Sequence, residues 1–158
     1  MIHNNDENLI PLRNHISVST VDLQDGGGSL DFEAWFKWEG KDRLVSGIML
    51  DLGVLDNAPN TVHTRDFVAF VSHCPHESCK VLLKKEPQIY AHLFAPEIRI
   101  PDHPVLLCPC HFSMFDPLRT GSRLSGPAHR GLFRFALSTQ GDNIEITHLE
   151  RSVMSLFG

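Results

Sequence analysis

Cys74-Pro75-His76-Glu77-Ser78-Cys79 and Cys108-Pro109-Cys110-His111-Phe112-Ser113 hold all four cysteines of the chain, and each box also carries a histidine. A thiolate and an imidazole two or three residues apart can both project from one loop tip. Two such loops can therefore offer two sulfurs and two ring nitrogens, enough to ligate one iron through sulfur and a second through nitrogen. Cys79 and Cys110 sit at matching places in the two boxes and are left free to pair with each other.

Two blander arrangements use the same residues. Four Cys/His side chains can close a tetrahedral zinc site, for which C-x₂₋₄-C and H-x₃₋₅-H are the usual spacings. Cys74-x-His76 is tighter than that, and zinc leaves two neighbouring thiols without a role. Two plain disulfides with incidental histidines would need His76 and His111 to fall near the cysteines by chance. Paired boxes are far more specific than a cysteine count.

The rest of the chain bounds the answer. At 158 residues it suits one domain with a real core. A hydrophobic share of 42% and a charged share of 21% are ordinary for a folded protein. The net charge of −5 argues against nucleic acid, which favours a clustered basic face. No stretch approaches the 18 or so apolar residues needed to span a bilayer. Met1 to Asn14 shows no basic segment, apolar run or twin arginine of an export signal.

Alternation at period two predicts strands. Residues 1–14 read as a flexible arm and 15–158 as a single domain. Ile16–Val21 is a first strand and Asp25-Gly26-Gly27-Gly28-Ser29 a turn. Leu30, Phe32, Ala34, Phe36 and Trp38 share one face of a second strand, which puts Trp35 and Trp38 on opposite faces. Glu39-Gly40-Lys41-Asp42 closes a hairpin to Arg43–Leu50. Asp51–Arg65 is a loop, and Phe67–Ser72 a strand running into the first box. Pro87, Pro96, Pro101 and Pro104 exclude long helix from the segment between the boxes. Val105–Leu107 enters the second box, and Leu132–Ser138 and Asn143–His148 form a last hairpin. The pattern predicts an all-β sandwich or small barrel.

The boxes resemble those of Rieske iron–sulfur proteins of the cytochrome bc type, C-T-H-x-G-C followed by C-P-C-H-G-S-x-Y-D. The similarity extends to Phe115-Asp116, Thr120-Gly121 and Gly126-Pro127-Ala128, the last matching a proline loop that covers the cluster. Lys37-Trp38-Glu39-Gly40-Lys41 resembles the W-x-G-K hairpin of the same proteins. The resemblance covers about residues 16–148. It implies the Rieske fold, an antiparallel β-sandwich with a smaller cluster-binding subdomain inserted at about residues 73–129. It implies a [2Fe–2S] cofactor, with Cys74 and Cys108 on the buried iron and His76 and His111 on the solvent-facing one. It implies a disulfide between Cys79 and Cys110 that ties the loops together. Neutral imidazoles in place of two thiolates raise the potential to about −150 to +300 mV, against about −400 mV for plant-type ferredoxins.

Departures from the family pattern carry expectations of their own. Ser113 keeps the serine whose hydroxyl bonds a bridging sulfide. Phe115 replaces the tyrosine of high-potential members, so one hydrogen bond to a cysteine sulfur is missing and a lower potential is expected. Glu77 replaces an apolar residue near the quinol-facing histidine. Ser78 and Phe112 replace glycines, so the local turns are expected to differ. Segment 80–107 is longer than the family norm and is expected to carry a partner contact. His73, His92, His103 and His129 read as loop or surface residues, and Lys84-Lys85 as a solvated edge.

The resemblance implies electron transfer as the iron–sulfur subunit of a quinol:cytochrome c oxidoreductase, with cytochrome b and a c-type cytochrome as partners. In such relatives a histidine ligand accepts the quinol hydroxyl. The alternatives are the small subunit of a periplasmic molybdenum oxidase resembling arsenite oxidase, paired with a molybdopterin subunit, and a soluble Rieske-type ferredoxin of an oxygenase. The expected location is the periplasm or the outer face of an energy-transducing membrane. That location needs an anchor or signal removed, or export bound to a signal-bearing partner.

Overall fold

The computed structural model describes residues 8–55 and 66–157. Ten strands fall in chain order: β1 Leu9–Ser19, β2 Ser29–Trp38, β3 Lys41–Asp51, β4 Phe67–Val71, β5 Leu82–Lys84, β6 Val105–Leu107, β7 Met114–Asp116, β8 Ser122–Ser125, β9 Phe135–Gln140 and β10 Asn143–Glu150. Two short helices, α1 Thr20–Asp25 and α2 Leu52–Leu55, follow β1 and β3. Six strands form one antiparallel sheet in the order β4-β3-β2-β1-β10-β9, and four form a second, β5-β6-β7-β8. The larger sheet curls until its edges meet, where the Val71 amide donates to the Phe133 carbonyl at 2.8 Å and Phe70 bridges Arg134. The result is a nearly closed barrel. The smaller sheet and both boxes are inserted in the chain between β4 and β9.

Two apolar cores share β3 and β4. Val45 and Met49 of β3, with Ala69 and Val71 of β4, point into the barrel beside Phe36, Phe133 and Ile146. The alternate residues Ile48, Leu50 and Phe70 point outward, into a second core with Leu106, Phe115, Cys74 and Cys108. A strand buried on both faces reads as a continuous apolar run, as Ile48-Met49-Leu50 and Phe67–Val71 do. Strand β6 repeats the device, with Leu106 facing the barrel side while Val105 and Leu107 meet Tyr90, Phe94 and Ile100 on the other. Much of the long segment between the boxes therefore covers the outer face of the smaller sheet.

Several expectations need correction. Residues 9–14 are strand, not arm; Leu9, Ile10 and Leu12 are buried and β1 pairs with β10, with an irregularity between Pro11 and Ile16. Residues 1–7 lie outside the described residues, as do 56–65 of the expected loop. The first strand ends at Ser19, whose hydroxyl accepts the Asp22 amide at 3.1 Å and caps α1, so Thr20 and Val21 are helical. His103 is half-buried rather than solvent-exposed; its Nε2 lies 2.8 Å from Oδ1 of the buried Asp116. The hairpin between β2 and β3 turns on Glu39 and Gly40 alone, with φ of 50° and 74°. Positive φ at both central residues matches the right-handed twist of the flanking strands. Trp35 is exposed and Trp38 packs on the barrel core, as the alternation predicts.

Candidate metal centre

The two boxes are one loop built twice. In the first, the Ser78 amide donates to the Cys74 carbonyl at 2.9 Å and the Cys74 amide to the Cys79 carbonyl at 2.8 Å. In the second, the Phe112 amide donates to the Cys108 carbonyl at 2.9 Å and the Cys108 amide to the Ser113 carbonyl at 2.8 Å. Ser78 and Phe112 hold the same place in each loop and share left-handed backbone, with φ of 61° and 62°. Both loops keep the conformation that glycine adopts most easily, in residues that pay a steric penalty for it. The shared bonding aligns His76 with Cys110 and Cys79 with Ser113. Cys79 and Cys110 therefore do not occupy matching places.

Cys79 and Cys110 form a disulfide across the two loops, with Cα atoms 6.4 Å apart. The thiols left are Cys74 and Cys108, both buried. They lie side by side within hydrogen-bond reach. Burial pushes the Cys74 thiol up, the His76 amide bonded to its sulfur pulls it down, and Cys108 pushes it up again. The Ser113 hydroxyl also bonds the Cys74 sulfur, lowering its pKa, and accepts the Ala128 amide at 3.0 Å. One serine thus links the second box, the first box and the proline loop. Gly126 makes the last link possible, because a Cβ there would lie 2.4 Å from the Ser113 Cα.

His76 and His111 sit together in the open, their ring centroids 5.0 Å apart and edge to face. Glu77 joins them, its carboxylate 3.7 Å from Nδ1 of His111. Donor atoms of His76, Glu77 and His111 all fall within 4.8 Å of one another. Pro109 and Phe112, on either side of His111 in sequence, are exposed, as is Pro127 of the proline loop. Phe115 is fully buried in the core that holds both thiols and presents no hydroxyl to them. The residues fit a [2Fe–2S] group: a buried thiol pair, an exposed imidazole pair, a backbone amide aimed at sulfur, and a disulfide that removes the competing thiols. The alternative of two plain disulfides does not match this arrangement, because Cys74 and Cys108 are unbridged.

Two histidines that are not candidate ligands bond residues distant in the chain. His73 bonds Ser46, and His103 bonds Asp116, 13 residues on. His92 and His129 are exposed, as expected. Lys84 is half-buried with its Nζ 5.2 Å from the Tyr90 ring centroid, so the lysine pair is not wholly a solvated edge.

No protein-family profile matches the sequence, and no curated protein matches it. Among solved structures, the soluble domain of the Rieske protein II (soxF) from Sulfolobus acidocaldarius superposes with a TM-score of 0.54 at 16% identity, covering 84% of this chain and 76% of that one. The chain has the Rieske fold. The cyanobacterial plasma membrane Rieske protein PetC3 from Synechocystis PCC 6803 aligns over 84% of this chain and 97% of its own at 22% identity, with a TM-score of 0.48. In the Rieske fold of this chain the first box joins β4 of the barrel to β5 of the smaller sheet, and the second joins β6 to β7. No helix among the described residues is long and apolar enough to cross a membrane.

Proposed function

We propose that the protein transfers electrons through a Rieske [2Fe–2S] cluster, with Cys74 and Cys108 holding the buried iron and His76 and His111 the exposed one. The observation that carries this is the division of each box into a buried thiol and an exposed imidazole: Cys74 and Cys108 lie in the core, and His76 and His111 stand in the open with ring centroids 5.0 Å apart. When bound, such a cluster accepts and donates one electron, at a potential raised by imidazole ligation. The chain's own residues do the rest. The buried thiols and Phe115 exclude water from one side, the His76 amide and the Ser113 hydroxyl bond sulfur, and the exposed rings give a partner the shortest approach.

The role we favour is the iron–sulfur subunit of a quinol-oxidising bc-type complex, with cytochrome b and a c-type cytochrome as partners. The disulfide, Ser113 and the Gly126-Pro127-Ala128 loop support it. A disulfide of this kind favours the periplasm or the outer face of an energy-transducing membrane. One observation favours a second role, the small subunit of a molybdenum oxidase. Glu77 sets an exposed carboxylate beside His111, where an apolar quinol ring would have to dock. Purification under mild detergent separates the two. Co-purifying haem b and haem c proteins support the first role, and a molybdopterin subunit replaces it with the second.

A further inference from the structure

His73 stands where β4 stops being a strand. Its chain neighbour Ser72 donates its amide to the Ser46 carbonyl of β3 at 2.9 Å, as the ladder requires. In an antiparallel pair the Ser46 amide would return the bond to the Ser72 carbonyl. That carbonyl instead accepts the Val81 amide at 2.8 Å, because the chain leaving the first box folds back beside Ser72. A strand amide left without an acceptor is costly even where it is half-buried, as at Ser46. Nε2 of His73 takes it, 3.3 Å from the Ser46 nitrogen. Because the Ser46 N–H is the donor, Nε2 is the acceptor, which leaves the ring proton on Nδ1. Nδ1 lies 3.2 Å from the Ser78 carbonyl and donates to it.

The imidazole therefore spans from the barrel to the left-handed residue of the first box. Ser78 is held from both sides, its amide on the Cys74 carbonyl and its carbonyl on His73. The second box has no such brace; Leu107 precedes Cys108, and Ser113 ties that loop to Ala128 instead.

We propose that His73 is a positioning residue of the metal centre, an imidazole brace that replaces a missing strand hydrogen bond and locks the loop of Cys74 and His76 to β3. This rests on the Rieske reading above for its electrochemical consequence, while the brace itself does not. Glutamine carries an acceptor and a donor about as far apart as the two ring nitrogens, and phenylalanine keeps the ring shape with neither.

The test uses the purified full chain and its His73→Phe and His73→Gln variants. Amide exchange at Ser46, the rate of cluster loss to a chelator and the reduction potential are measured on each. His73→Phe is expected to exchange Ser46 and lose the cluster about tenfold faster, the scale of one hydrogen bond. Its potential is expected to fall as the His76 amide loosens from the Cys74 sulfur, and His73→Gln to return all three toward wild type. Wild-type behaviour in His73→Phe, or equal damage in both variants, overturns the proposal. If His73→Phe does not fold, the wild type decides. Ser46 must exchange as slowly as Ile48 and Leu50 on the same strand, and exchange as fast as an unbonded amide overturns the brace. A wild type with no iron–sulfur signal removes the Rieske reading, and the Ser46 exchange still decides the contact.

Discussion

Gly126 packs against Ser113 so closely that a methyl group on it would come within 2.4 Å of the Ser113 Cα and 2.7 Å of its Oγ. Gly126 also has a φ of 97°, which L side chains rarely adopt. Gly126→Ala is therefore expected to destabilise the protein by about 2–4 kcal/mol, from overpacking plus backbone strain. It is also expected to break the Ala128–Ser113 hydrogen bond. Denaturant unfolding checks the first effect, and iron content per chain the second.

Phe115 is buried in the core that holds Cys74 and Cys108. A hydroxyl added there can donate to a cysteine sulfur, and such a donor stabilises the reduced cluster. Phe115→Tyr is expected to raise the reduction potential in a redox titration. An unchanged or lower potential would show that the hydroxyl does not reach sulfur.

His103 partners Asp116 at 2.8 Å, and Asp116 also caps the 3-10 turn Pro117–Arg119 through the Leu118 amide at 2.9 Å. His103→Ala leaves a buried carboxylate short of one partner, at an expected cost of about 1–3 kcal/mol. The loss appears as a lower midpoint in thermal or denaturant unfolding. The spectrum of the metal centre is expected to stay unchanged.

In cluster-free protein the Cys74 thiol titrates above the ordinary thiol range, chiefly because it is buried. The folded chain then holds that proton more tightly than the unfolded chain. This contribution to stability is fully present below the unfolded pKa and is lost as pH rises through the raised folded value. Melting temperature is expected to fall as pH climbs above about 8.5, the ordinary thiol value. Cys74→Ser is expected to show a shallower fall over the same window.

The boxes were the most legible part of the chain because their chemistry is local. A cysteine and a histidine on one loop tip need only sequence spacing to be recognised. Strand β6 and the hairpin on Glu39-Gly40 were legible for the same reason, the first from an apolar run before a box and the second from a turn signal. What stayed hidden depends on partners distant in the chain. His73 reads as a loop histidine until β3 brings Ser46 to it across 27 residues. His103 reads as exposed until the smaller sheet sets Asp116 beside it. Strands β7 and β8, of three and four residues, are too short for alternation to register. Helix α1 was hidden by β-branched Thr20 and Val21, although Ser19 offered a capping signal. The left-handed Ser78 and Phe112 were hidden because neither residue type favours that backbone, and the loops impose it.

The proposed electron transfer depends on the mixed ligand set of Cys74, His76, Cys108 and His111. Electron paramagnetic resonance of the purified, dithionite-reduced protein tests it most directly. The expected spectrum has the low average g of a cluster ligated by both cysteine and histidine, present in the wild type and abolished in Cys108→Ala and in His111→Ala. A signal of the all-cysteine type, or a native signal that survives either substitution, would contradict it.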